Sequence, residues 1–149
     1  MNAEDTIKEF VFAKSQFSFF ASDPSFKVVS CKCFYQDYIL IFVYKKFQFS
    51  LESDRGYLQL IISPLSHVEE KCDLGNLLEY IHKVIENKPQ KTKRHGYYES
   101  YEIQLETLAS ALRENLSKIE SFCSEENYLK NCNALRNYML KPIPAFSQD

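Results

Sequence analysis

A chain of 149 residues has the length of one domain, and 45% hydrophobic with 15% aromatic residues is ample for one packed core, which excludes a disordered segment. A formal net charge of −2 lacks the overall basic balance expected of a protein built to hold nucleic acid. The first ten residues, MNAEDTIKEF, are acidic where an export signal needs a basic start, and no apolar run approaches the ~18 residues of a membrane span. Reduced thiols are therefore expected for the five cysteines, and the chain reads as cytoplasmic with no membrane partner.

The chain opens on a helix pattern. Thr6-Ile7-Lys8-Glu9 fits a capping box, and Ile7, Phe10, Val11 and Phe17 follow at helical spacing. Ser22-Asp23-Pro24-Ser25 ends it, because proline disfavours helical geometry in the residue before it. Strands come next. In Phe26–Phe34, Val29, Cys31 and Cys33 share one face, which is taken as the inward one. Tyr38–Tyr44 is apolar on both faces and predicts a central strand covered on both sides. Phe47, Phe49 and Leu51 alternate with Gln48, Ser50 and Glu52, the pattern of a half-buried strand. Lys45-Lys46 fits either a tight turn or a bulge. Asp54-Arg55-Gly56 suits a hairpin loop before the returning strand Tyr57–Ser63.

Helices complete the chain. Asp73 can cap one carrying Leu74, Leu77, Leu78, Ile81, Val84 and Ile85. A polar, basic loop precedes a long helix over roughly Glu99–Phe122, striped by Leu105, Leu108, Ala109, Leu112, Leu116 and Ile119. A last helix carries Leu129, Cys132, Leu135 and Met139, and the prolines in 141–149 make that segment a loose tail. The fold class is α+β: an N-terminal helix, an antiparallel meander of three or four strands, then three helices packed on the sheet. With no repeat or linker, residues 1–149 read as a single domain.

Little in this pattern points to catalysis. Cys31-x-Cys33 has no second cysteine pair to complete a zinc site, and His67, His82 and His95 have no metal-ligand spacing. No local signature marks a cysteine nucleophile, and Gly56, Gly75 and Gly96 are too scattered for a phosphate-binding loop. The expectation is a protein that is not an enzyme and has no cofactor or metal.

Two charged stretches remain as candidate contacts. Glu99, Glu102 and Glu106 fall on one helix face, opposite the leucine stripe, and could meet a basic partner. Lys91, Lys93 and Arg94 with Tyr97 and Tyr98 could instead contact phosphates and stack on bases. No recognised nucleic-acid-binding motif accompanies them, so nucleic acid is the lesser alternative. Arg55 is an expected exposed tip residue, with Asp54 beside it, and a candidate contact rather than a catalyst.

The run FKVVSCKCFYQDYILIFVYKKFQFSLESDRGYLQLIIS, then DLGNLLEYIHKVI and YEIQLETLASALRENLSKI, resembles small bacterial immunity-type proteins of contact-dependent and other polymorphic toxin systems. The resemblance runs over roughly residues 5–120. Such proteins share a leading helix, a meander with a D-R-G or D-R-x hairpin and a leucine-rich late helix; the Phe/Tyr load and the cysteines here depart from them. The resemblance implies a non-catalytic protein that binds a cognate toxin domain, often a basic one, and blocks its active site. It carries over no residue-level interface. A nucleic-acid or protein adaptor using the 88–98 loop, and an unrecognised small enzyme, stand as alternatives.

Overall fold

In a computed structural model, residues 15–17, 23–34, 37–88, 94–124 and 126–140 are described. Five strands form one antiparallel sheet in the order of the chain: β1 (Lys27–Phe34), β2 (Asp37–Tyr44), β3 (Phe47–Asp54), β4 (Tyr57–Pro64) and the two-residue β5 (Cys72–Asp73). Helices follow: α1 (Leu74–Tyr80), which runs on into a π-helical turn at Ile81–Ile85, then α2 (Tyr101–Glu114), α3 (Leu116–Phe122) and α4 (Tyr128–Met139). The α+β class stands as read, but the sheet has five strands where three or four were expected, the fifth being the short Cys72–Asp73 pairing on β4. The expected leading helix lies outside the described residues except at 15–17, and so does the 141–149 tail. Phe17 is buried and packs on Phe42, with ring centroids 5.2 Å apart.

The period-2 pattern places the core on one face of the sheet. Tyr38, Leu40, Phe42 and Tyr44 of β2 are buried, and Leu40, Phe42 and Tyr44 pair with Leu51, Phe49 and Phe47 of β3. Those three in turn face Leu60, Ile62 and Pro64 of β4. The Phe42 and Phe49 rings stack at 5.2 Å across the strands. Leu77, Leu78, Leu105, Leu112, Ile119 and Tyr128 bring the four helices into this same core.

Three expectations are corrected here. β2 is not equally buried on both faces: Ile39, Ile41 and Val43 are half-buried while their neighbours are sealed. Cys31 pairs with Leu40 but is exposed, because it lies on the terminal strand of the sheet rather than over its middle. The long helix expected over Glu99–Phe122 is broken. Asn115 leaves helical geometry (φ −116°, ψ 15°), and its buried side-chain amide donates to the Ala111 carbonyl at 2.8 Å. An asparagine that bonds the preceding turn competes with the regular ladder, so two helices replace one, and among the described residues the meander is followed by four α-helices where three were expected.

The open question at Lys45-Lys46 resolves as a two-residue turn, with Lys45 at φ +54°. The Asp54-Arg55-Gly56 loop is shorter than its three polar residues suggest. Asp54 ends β3, and Arg55 (φ +51°) and Gly56 (φ +85°) form the two-residue connection. Positive φ at both positions is the geometry whose twist matches the flanking strands.

Candidate partner-binding surface

The β3–β4 turn is held from two sides through its main chain. The Arg55 N–H donates to Asp37 Oδ1 at the start of β2, at 2.8 Å, and the Tyr97 hydroxyl donates to the Arg55 carbonyl at 3.2 Å. Gln104, buried in α2, donates from Nε2 to the Gly56 carbonyl at 2.7 Å and to the Glu99 carbonyl at 2.9 Å. Its Oε1 accepts the Leu58 N–H at 2.9 Å. One side chain thus ties the turn, the loop before α2 and strand β4 together.

The same residues close a sheet edge. β5 pairs only with Ile61 and Ile62 of β4, so β4 continues past it with an unpaired edge. At Leu58 that edge is satisfied by side chains: Gln104 takes the N–H, and His95 Nε2 lies 2.7 Å from the carbonyl. A carbonyl accepts only, so Nε2 carries the proton. Burial pulls the His95 pKa down, with the Leu58 hydrogen bond opposing the shift, so the ring is neutral at neutral pH. Tyr57 lies against His95 at 4.8 Å and stacks on Tyr97 at 5.8 Å, and Tyr97 meets Tyr98 edge-on at 5.3 Å. Helix α2 is pinned in turn, by Ser100 capping the Ile103 N–H and by a 2.5 Å hydroxyl contact between Tyr101 and Tyr38.

Of the contact residues read from the sequence, Arg55 and Tyr97 meet directly on this frame. Asp54 and Arg55, on the hairpin, lie beside Tyr97, Tyr98 and the first turns of α2. Arg55 and Asp54 expose 83% and 75% of their side chains, and Tyr98 is 97% exposed. The Arg55–Asp54 ion pair, 3.4 Å and largely in solvent, contributes little to stability. Glu102 and Glu106 are exposed on α2, with Ile103 between them 47% exposed.

Glu99 does not join them as read. α2 begins at Tyr101, so Glu99 precedes the cap, is half-buried and lies against Gly96. Arg94 is likewise engaged, donating to Asn76 Oδ1 at 3.2 Å beside Gly75. Lys91 and Lys93 lie outside the described residues. Sequence reasoning missed Gln104 and His95, the two side chains that build the platform. A signal existed for Gln104: it occupies a buried position of the α2 stripe, where a polar residue needs a partner.

The cavity beside the platform, lined by Tyr57, Asp73, Arg94, His95 and Thr107 among others, holds about 30 Å³. That is room for one water, not an organic substrate. Among the described residues no three His, Cys, Asp or Glu side chains are grouped to hold a metal ion, and no helix is long and apolar enough to cross a membrane. What this end of the molecule offers is amphipathic rings, a guanidinium and carboxylates on a stiff support. Comparison with known proteins finds no matching family model, no matching curated protein and no matching solved structure.

Proposed function

We propose that this chain is a non-catalytic, immunity-type protein that neutralises a cognate toxin domain by stoichiometric binding, and that Asp54, Arg55, Tyr97, Tyr98, Glu102 and Glu106 form the binding surface. The observation that carries the reading is the contrast at the hairpin tip: the Arg55 main chain is bonded on both sides while its side chain projects into solvent. A residue held at positive φ without being glycine is conformationally uncommon, and such positions cluster at functional sites. Arg and Tyr are also the residues that most often dominate binding energy when an interface closes over them. Because their support is pre-ordered, little conformational freedom is lost on docking. The exposed carboxylates of Asp54, Glu102 and Glu106 suit a basic partner and would speed its capture. The cytoplasm, where the toxin would act, is the proposed place of action.

The test is co-expression with the C-terminal domain of a large toxin encoded beside this chain, read as growth rescue and as a one-to-one complex on size-exclusion chromatography. Absence of both rescue and complex overturns the proposal. Salt-dependent RNA binding that disappears when Lys91, Lys93 and Arg94 are neutralised would instead establish the adaptor reading. Two residues of that alternative surface are less free than the sequence suggests, since Arg94 holds Asn76 and Tyr97 holds the Arg55 carbonyl.

A further inference from the structure

A second cluster lies in the groove between β5 and α4, with a side-chain set that the binding surface does not use. Cys72 Sγ and Cys132 Sγ are 4.0 Å apart, from positions 60 residues apart in the chain. Around them, Arg136 Nη2 lies 3.8 Å from Cys132 Sγ, and Cys132 Sγ lies 3.7 Å from Glu70 Oε2. Arg136 and Glu70 pair at 2.6 Å. The Tyr128 hydroxyl sits 3.6 Å from Cys72 Sγ and donates to the Glu70 carbonyl. A groove of about 170 Å³, lined by Lys71, Cys72, Asp73, Cys132 and Arg136 among others, opens onto the pair.

We propose that Cys72 and Cys132 are a reversible oxidation site, which hydrogen peroxide closes into a disulfide that fastens α4 to the sheet. The two thiols are not equivalent. Cys72 is packed against Tyr128, and burial pushes its pKa up to about 12, so it is a poor first nucleophile. Cys132 is buried too, but it has a guanidinium beside it and its thiol donates to a carboxylate, and the groove that it lines gives a small oxidant a way in. The Cys132 thiolate attacks one peroxide oxygen, the O–O bond breaks, and the products are Cys132 sulfenic acid and hydroxide, which takes up a proton to become water. Cys72 sulfur then attacks the sulfenic sulfur; an S–S bond forms, the S–O bond breaks, and the hydroxyl leaves with the Cys72 proton as a second water. Two thiols have lost two electrons and one peroxide has gained them. The remaining shift is from 4.0 Å to the ~2.05 Å of a disulfide, a movement of side chains already in contact. Cys123, buried beside the pair with its own pKa pushed up to about 12 by burial, is left reduced.

The experiment treats the full chain with equimolar hydrogen peroxide and maps thiols by intact mass and tryptic peptides. The expected result is a loss of two hydrogens, with Cys72–Lys83 cross-linked to Asn131–Arg136, reversed by dithiothreitol. Oxidation should raise Tm by about 5 °C or more, since the bridge closes a long loop. Cys132→Ser should abolish the reaction, and Cys72→Ser should trap a sulfenic acid that dimedone labels at Cys132. Arg136→Gln, which keeps both thiols, should slow oxidation several-fold. Cross-linking through Cys31 or Cys123 instead, or sulfinic acid at Cys132 with no bridge in the native chain, overturns the proposal. Neither outcome bears on toxin binding.

Discussion

The two hairpin tips at opposite ends of β3 are built alike and used differently. Each is a two-residue turn whose first residue is a cation at positive φ: Lys45 at +54° and Arg55 at +51°. At the first tip the charge is turned inward. Lys45 Nζ pairs with Glu120 of α3 at 3.2 Å and sits over the Tyr44 ring, while its N–H donates to Ser25 Oγ. At the second tip the backbone alone is engaged, and the guanidinium meets only its own neighbour Asp54 among the hydrogen bonds described. Lys45 finds its partner on another element; Arg55, the proposed contact, is supported through its main chain and has its side chain in solvent. The difference lies in side-chain direction, which turn chemistry alone does not dictate.

The largest expected effect comes from removing the support of the second tip. Gln104→Ala leaves the Leu58 N–H and the Gly56 and Glu99 carbonyls without their partner. Urea unfolding should show a loss of about 2–4 kcal/mol, and toxin-domain affinity should fall with it. Arg55→Ala should weaken the toxin complex about tenfold or more by calorimetry, while leaving stability within about 0.5 kcal/mol. Lys45→Ala should leave that affinity unchanged to within about twofold; the reverse ranking of the two cations would break the comparison.

Arg55→Asn should stabilise the free protein by about 0.5–1 kcal/mol, because asparagine tolerates the left-handed region better, while still weakening binding. Thermal denaturation separates this from Arg55→Ala, which gains no such relief.

The smallest effect is a pH term at the frame. The folded pKa of His95 lies below its unfolded value, so between the two the unfolded chain binds more protons and stability rises with pH. Stability should therefore decline as pH drops from about 6.5 through the lowered value. His95→Gln should flatten that part of the profile, measured as the urea midpoint between pH 7.5 and 5.

Much of the fold was legible because it rests on local periodicity. The alternation in β3, the Asp73 cap, whose carboxylate accepts the Asn76 N–H at 3.0 Å, and the leucine stripe are all read within a few residues. Gly56 marked its turn, since left-handed geometry suits glycine. What escaped depends on contacts distant in sequence. Leu58 meets Gln104 and His95 across 46 and 37 residues, and no short window of the chain holds Leu58 with either partner. β5 is two residues long, too short for any periodicity to appear. The Asn115 break illustrates a detectable exception: Gln104 and Asn115 are both polar residues on buried helix positions, and each proved to bind backbone. The candidate contacts were recognised as separate stretches; that the hairpin and α2 are joined follows from Gln104, which bonds Gly56 and Leu58 from a distance no local pattern spans.

The double anchoring of the Arg55 main chain has an evolutionary consequence. Asp37 and Tyr97 grip atoms that every residue but proline possesses, so any residue that tolerates the left-handed backbone of this position can be held in the same place. On the proposed toxin-binding reading, a change of partner preference needs a change at codon 55 alone, with the rest of the scaffold kept.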